Sequence, residues 1–269
     1  MIQIKAVIFD WAGTTIDFGC MAPVQALVDS FAEFGMQISP VETREPMGMA
    51  TRDHLAAMLA MPRIGELFEQ QHGRSYSSED IDAIYAVFEE KMLASIPAFT
   101  CPKPYVVETL ESLKEEGFKT GSTTHCSRKL MEAAAPAAAV NGYAPDYWAC
   151  PDDVDGYGRP YPYMLFLNMQ KLGIQDVNSV IKVGDTEADI AEGIAAGVWT
   201  VGVLEGSAQM GLSEAEYQAL SETEKIEANE TAAEAFWCYG ADFVIQDMSE
   251  IFEVIRLIET DLEEDDELD

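Results

Sequence analysis

Residues 5–15, Lys-Ala-Val-Ile-Phe-Asp-Trp-Ala-Gly-Thr-Thr, set a carboxylate and two hydroxyls beside a short apolar run. Ala6 to Phe9 read as a buried strand, and Asp10 follows it directly. A carboxylate at the carboxyl end of a strand stands where open α/β sheets place their ligands. The next residues, Trp11-Ala12-Gly13-Thr14-Thr15, form a turn of small and hydroxylated residues. Such a turn lets backbone N–H groups approach a phosphoryl group. Further on, Ile181-Lys-Val-Gly-Asp185-Thr-Glu-Ala-Asp189 repeats the arrangement: short strand, turn, then two carboxylates four apart opening a helix. Together the two sites can supply a nucleophile and ligands for Mg²⁺.

Two more polar clusters follow strand-like runs. One is Thr123-Thr124 with Arg128 close behind, and the other is Arg159 in Gly158-Arg-Pro-Tyr-Pro. In a parallel sheet the strand carboxyl ends share one edge, so all four clusters can meet there. Carboxylates, a hard cation, a hydroxyl and an arginine suit phosphoryl transfer, because arginine and threonine match the equatorial oxygens.

The elements that must position these groups alternate between strand and helix, which predicts a parallel α/β sheet. After the first strand the rhythm breaks. Residues 22–35, 41–59 and 78–95 read as helices, with apolar residues three and four apart. No strand signal lies between them, which predicts an all-helical cap inserted over residues 20–99. The core is expected over residues 1–19 and 100–260, with the chain returning near Cys101-Pro102-Lys103-Pro104. Further strands are predicted at 118–123, 147–150, 180–183, 199–203 and 243–245, with helices between them. Residues 213–235 read as one peripheral helix.

Composition narrows the partners. The 269 residues carry 16 Lys and Arg against 48 Asp and Glu, a formal charge of −32. Long-range repulsion then argues against nucleic acid or an anionic membrane as partner. An anionic substrate must be drawn by a local cation such as Mg²⁺ and by a few arginines. Seven of the nine residues 261–269 are acidic, which predicts a disordered, solvated tail. Five scattered cysteines without a Cys-x-x-Cys pair predict a reducing compartment and no structural zinc. The chain enters its first strand without an apolar leader, and no run approaches 18 apolar residues, so a soluble cytoplasmic protein is expected.

Over about residues 3–260 the sequence resembles the haloacid dehalogenase superfamily, and within it the phosphonoacetaldehyde hydrolases. The resemblance rests on Val7-Ile-Phe-Asp-Trp-Ala-Gly-Thr-Thr, Pro46-Met-Gly, Asp53-His54, Gly121-Ser-Thr-Thr, Pro151-Asp-Asp-Val, Gly158-Arg-Pro-Tyr-Pro and Lys182-Val-Gly-Asp-Thr. It implies a Rossmann-like core with an inserted helical cap. It also implies that Asp10 attacks phosphorus to form an aspartyl-phosphate. Asp10, Asp185 and the Ala12 carbonyl would hold Mg²⁺ with the substrate, and Asp189 would orient that site from behind. Thr124 would bind the phosphoryl oxygens, and Arg159 would sit where relatives place their stabilising cation. Cys20 near the first linker, with Met47 and His54 in the cap, would line the substrate end. A small phosphorylated or phosphonate substrate and a homodimer through cap helices are further implications.

Thr51 departs from the phosphonoacetaldehyde hydrolase pattern, and Ala12, which belongs to the specific Asp-Trp-Ala-Gly-Thr form, departs from the wider superfamily's. After Pro-Met-Gly the family runs two residues to a lysine that forms a Schiff base with the substrate aldehyde, whereas here that position is Thr51. P–C cleavage leaves a carbanion unless an electron sink such as a protonated imine accepts the pair. Threonine forms no imine, and the guanidinium of neighbouring Arg52 is a poor nucleophile. Lys103 and Lys129 are the amines that could stand in. The second departure is Ala12, where most superfamily members carry an Asp that protonates the leaving group and activates water. His54 is one candidate acid from the cap. Phosphonatase-like chemistry, hydrolysis of a small phosphoester or acyl phosphate, and a non-catalytic binding or regulatory role are the three readings left open. His125 and Cys126 are expected to shape the pocket floor.

Overall fold

The computed structural model describes residues 3–266. Strands β1 (Ala6–Phe9), β2 (Lys119–Thr123), β3 (Tyr147–Ala149), β4 (Val180–Gly184), β5 (Trp199–Val203) and β6 (Phe243–Ile245) form one sheet ordered β3-β2-β1-β4-β5-β6. Every neighbouring pair is parallel. The expected parallel α/β sheet is therefore present, with β1 at its centre between β2 and β4.

Successive residues of a strand face opposite sides of the sheet. Val7 and Phe9 of β1, with Ile181 and Val183 of β4, join the apolar cluster that holds helices α6 (Val106–Glu115), α7 (Arg128–Val140) and α12 (Ile251–Asp266). Ala6, Ile8 and Val180 face the other side, against α8 (Tyr163–Leu172) and the end of α9 (Glu187–Ala196). Burial on both faces explains why the strands read as short continuous apolar runs. Each fully buried Val, Ile or Phe contributes about 1.5–3 kcal/mol.

Between β1 and α6 lie five helices and no strand. They are α1 (Met21–Glu33), α2 (Pro40–Arg44), α3 (Thr51–Ala60), α4 (Pro62–His72) and α5 (Ser78–Phe99). The single helix expected over 41–59 is two, because Pro46-Met-Gly makes a turn in which Gly48 takes φ +89°. Helix α4 starts at Pro62, and His72 is its last residue, stacked on Phe68 at 4.3 Å. The chain leaves and re-enters the core side by side: Asp17 N–H donates to the Cys101 carbonyl at 3.1 Å, and Lys103 N–H to that of Thr15 at 2.9 Å.

The predicted peripheral helix divides into α10 (Glu214–Ala219) and α11 (Glu222–Tyr239), because Ser221 caps a new helix by accepting from Glu224 N–H. The end of the acidic run, residues 267–269, lies outside the described residues, and α12 extends through Asp266. Among the described residues no helix is long and apolar enough to cross a membrane.

Candidate active site

The parallel register carries three polar strand ends to one edge. Phe9 pairs with Ser122 and with Val183, so Asp10, Thr123-Thr124 and Gly184-Asp185 leave neighbouring strands at nearly the same level. Carboxylate oxygens of Asp10, Asp185 and Asp189 lie within 4.8 Å of one another, and all three residues are buried. The turn after β1 fits tightly beneath them: a Cβ on Gly13, at φ +80°, would stand 2.0 Å from Asp185 Oδ2. Only glycine allows that approach. Thr14 Oγ1 donates to Asp185 Oδ1 at 2.8 Å, and Ala208 N–H donates to Oδ2 at 2.7 Å.

Arg159 crosses from the loop after β3 into this cluster with a wholly buried side chain. Nη2 lies 2.6 Å from Asp10 Oδ1, Nη1 lies 2.9 Å from Asp189 Oδ1 and Nε lies 3.2 Å from Glu192 Oε2. Nη2 also donates to the Thr123 carbonyl and hydroxyl oxygens at 2.9 Å. Lys182, on β4, is equally buried and reaches Asp189 Oδ1 at 2.9 Å and Glu192 Oε2 at 3.3 Å. A buried charge is tolerated when it is paired and hydrogen-bonded, as each of these is. Asp189 also closes the first turn of α9, accepting from Thr186 N–H at 3.2 Å and Thr186 Oγ1 at 2.6 Å. One carboxylate thus caps the helix and orients two cations.

The electrostatics follow from this crowding. Burial pushes Asp185 well above the usual carboxylate range, and the negative charges of Asp10 and Asp189 add to it. Asp189 moves the other way, to about 2: burial opposes its charge, but Arg159 and Lys182 outweigh it. Arg159 is held protonated in spite of burial by Asp10, Asp189 and Glu192. Hard oxygen donors at this spacing fit Mg²⁺, which is commonly held by one or two carboxylates plus substrate oxygens.

The helices between β1 and α6 close over this edge. A Cβ on Gly48 would stand 2.3 Å from Thr186 Oγ1. Thr51 Oγ1 donates to the His125 carbonyl at 3.2 Å. Cys20 Sγ lies 4.0 Å from Met47 Sδ, and burial, then Asp185, pushes the Cys20 thiol upward. Glu89 of α5 binds Ser127 and Lys129 at 2.7 and 2.6 Å. A cavity of about 310 Å³ opens on Asp185 and Thr186 between Met47, Met49, Pro160 and Ala208.

Several residues read from the sequence stand elsewhere. His54 is buried in α3 with Nε2 2.9 Å from the Thr43 carbonyl, which only accepts, so Nε2 carries the proton. Burial, then His125, lowers its pKa to about 3. Its imidazole is neutral near pH 7, so it offers no imidazolium as an acid. Arg52 points along the helices, with Nε 2.8 Å from Asp82 and Nη2 2.7 Å from Ser78. Lys129 is exposed and paired with Glu89. Arg128 pairs with Asp153 and stacks on Trp148 at 5.4 Å. Lys103 is buried, but its Nζ donates to the Gly13 carbonyl at 2.5 Å, beneath the turn. Thr124 Oγ1 accepts from Cys126 N–H at 3.2 Å, which fixes the turn after β2. Burial pushes the Cys126 thiol up to about 12, so it offers no thiolate.

Sequence reasoning missed Glu192 and the part Lys182 plays. Their signals were present. Glu192 sits three residues after Asp189, on the same face of a helix otherwise rich in small and apolar residues. Lys182 is a charge in the middle of an apolar strand.

Over residues 4–197 the chain matches haloacid dehalogenase-like hydrolases. It is 42% identical over 261 residues to the phosphonoacetaldehyde hydrolase of Lysinibacillus sphaericus (strain C3-41), covering 97% of each chain. It is 43% identical over 258 residues to that of Bacillus thuringiensis (strain Al Hakam), covering 96% of this chain and 97% of the other. The crystal structure of a phosphonoacetaldehyde hydrolase-like protein from Oleispira antarctica gives a TM-score of 0.92 at 34% identity, covering 95% of this chain and 92% of that one.

Proposed function

The chain belongs to the haloacid dehalogenase-like hydrolases, and from that premise we propose that it hydrolyses a small phosphorylated compound through an aspartyl-phosphate on Asp10, with Mg²⁺ held by Asp10, Asp185 and the Ala12 carbonyl. The observation that carries this reading is the convergence of the Asp10, Asp185 and Asp189 carboxylates at one strand edge, with Arg159 on Asp10. Asp10, Asp185 and the Ala12 carbonyl would hold Mg²⁺, which would supply positive charge to offset the negative charge building up on the phosphoryl oxygens. Asp10 is oriented by Arg159 for attack on phosphorus. The bond to the leaving group breaks, and its electron pair departs with that group. Thr124 and Arg159 hold the equatorial oxygens. Water then attacks phosphorus, and the electron pair of the breaking P–O bond returns to Asp10.

Thr51 favours P–O over P–C cleavage. It stands at the seam beside His125, where the family resemblance puts the imine-forming lysine, and it has no amine. Of the other amines and guanidinium groups, Lys182 is enclosed by Asp189, Glu192 and Thr123, Lys103 lies under the Gly13 turn, and Lys129 and Arg52 point outward. With no electron sink for a carbanion, the leaving group is one that is stable when it departs, such as a carboxylate or a weakly basic alkoxide.

The test is phosphate release with Mg²⁺ from acyl phosphates, small phosphoesters and phosphonoacetaldehyde, for the wild type and Asp10→Asn. Release from the first two classes that is lost in Asp10→Asn supports the reading. Turnover of phosphonoacetaldehyde alone would reinstate P–C cleavage, and activity surviving in Asp10→Asn would remove the aspartyl-phosphate.

A further inference from the structure

Ala12 leaves the site without the second carboxylate that takes a proton from attacking water. Among the described residues, the buried side-chain atoms that make no hydrogen bond include the Tyr143 hydroxyl and Nδ1 of His125. His125 follows Thr124 at the end of β2 and is 6% exposed. Its Nδ1 is sealed from solvent and makes no hydrogen bond among the described residues. Unpaired buried polar atoms are rare, and each asks for an explanation.

The location of His125 separates it from His54. Ser122 pairs with Phe9, so the turn that carries His125 leaves β2 beside the strand end that carries Asp10. Arg159 Nη2 ties the two ends together, donating to Asp10 Oδ1 at 2.6 Å and to the Thr123 carbonyl at 2.9 Å. His54 instead turns its Nε2 to the Thr43 carbonyl, within the helical layer. The backbone of His125 is held in place by Thr51, whose hydroxyl donates to the His125 carbonyl at 3.2 Å. Thr124 on its other side accepts from Cys126 N–H at 3.2 Å, so the turn that carries the ring is fixed on both sides.

Resting on the aspartyl-phosphate reading above, we infer that His125 Nδ1 is the general base for the second half-reaction. In that step the water oxygen bonds to phosphorus and its proton passes to Nδ1. The P–O bond to Asp10 breaks, and its electron pair returns to the Asp10 carboxylate. The imidazolium then returns the proton to the departing phosphate or to solvent. Burial lowers the pKa of His125, which keeps the ring neutral and ready to accept. An acceptor with no partner in the resting protein gains one when water sits on the aspartyl-phosphate. General-base assistance of this kind contributes about 10²–10⁴-fold.

The two half-reactions separate with p-nitrophenyl phosphate and Mg²⁺, because p-nitrophenolate leaves without a proton. In His125→Asn the burst of p-nitrophenolate and the phosphoryl mass on Asp10 are expected to remain. Decay of the phosphoenzyme should slow about 100-fold or more. His125→Gly with added imidazole supplies the second readout: the decay rate should rise with imidazole concentration, which a structural role does not produce. If either variant forms phosphoenzyme that decays at the wild-type rate, or if both half-reactions fall equally without imidazole rescue, His125 is not the base. A wild type that never carries phosphate on Asp10 removes the aspartyl-phosphate reading itself, and the inference with it.

Discussion

Arg159 Nη2 lies 2.6 Å from Asp10 Oδ1, and both side chains are shut off from water. The same guanidinium meets Asp189 and Glu192 through its other nitrogens, so three carboxylates fix its plane. An ammonium group has no such planar fork. Arg159→Lys is therefore expected to lower phosphate release about 100-fold or more, with kcat carrying the loss. It should also lower the melting temperature, because the buried carboxylates lose their partner. Steady-state kinetics and a thermal melt check both parts, and a folded variant with wild-type kcat would contradict the assignment.

Thr51 occupies the seam between α3 and the turn after β2, touching the His125 carbonyl. Thr51→Lys puts an amine there. Treatment with borohydride in the presence of phosphonoacetaldehyde is expected to trap a covalent adduct on the variant, read by intact mass. The wild type should show none. An adduct on the wild type would mean that another lysine reaches the substrate.

Asp185 is held up by burial and by the charges of Asp10 and Asp189. Adding Mg²⁺ to the chelator-treated protein should raise its melting temperature by several degrees. A hundredfold excess over Kd is worth about 2.7 kcal/mol. Asp185→Asn should remove most of that shift. In chelator the variant should melt no lower than the wild type, since it relieves like-charge crowding. Thermal melts with and without Mg²⁺ decide the point, and an undiminished shift in Asp185→Asn would place the ion elsewhere.

His54 has its pKa lowered from 6.5 to about 3, by burial first and by His125 second. As pH falls the unfolded chain takes up this proton before the folded one. The stability it contributes is present above pH 6.5 and is lost as pH falls towards 3. Between pH 7.5 and pH 5 the loss from this group is about 2 kcal/mol. The stability gap between wild type and His54→Asn, measured by urea unfolding, should shrink by that amount. A gap independent of pH would show that His54 titrates normally.

Much of this arrangement is legible in the sequence. Strand–helix alternation marks the sheet, and the residues directly after Phe9, Thr123 and Val183 mark its polar edge, because a parallel sheet gathers strand ends whatever the side chains are. What pairs with what is less legible. The Pro46-Met-Gly turn interrupts an otherwise helical apolar pattern, since the i, i+3, i+4 spacing of Met47 and its neighbours does not register a change of direction at Gly48. Glu192 and Lys182 were hidden for a different reason. Each looks like an isolated charge along the chain, and only folding shows that Asp189, Arg159 and Thr123 complete it. His54 misled in the opposite sense. Its residue type suggests titration near neutrality, while its burial against the Thr43 carbonyl takes that away.

The paired linkers carry a last consequence. Asp17 N–H donates to the Cys101 carbonyl, and Lys103 N–H to that of Thr15, so entry to and exit from the five helices are joined like the two ends of a clasp. The residues proposed to hold the phosphoryl group, Asp10, Thr124, Arg159 and Asp185, with Asp189 and Glu192 behind them, all lie on the sheet side of that clasp. Evolution can therefore remodel the helical segment, by substitution at positions such as Thr51 or by wholesale exchange, and redirect the enzyme to a new leaving group without rebuilding the machinery that handles phosphorus.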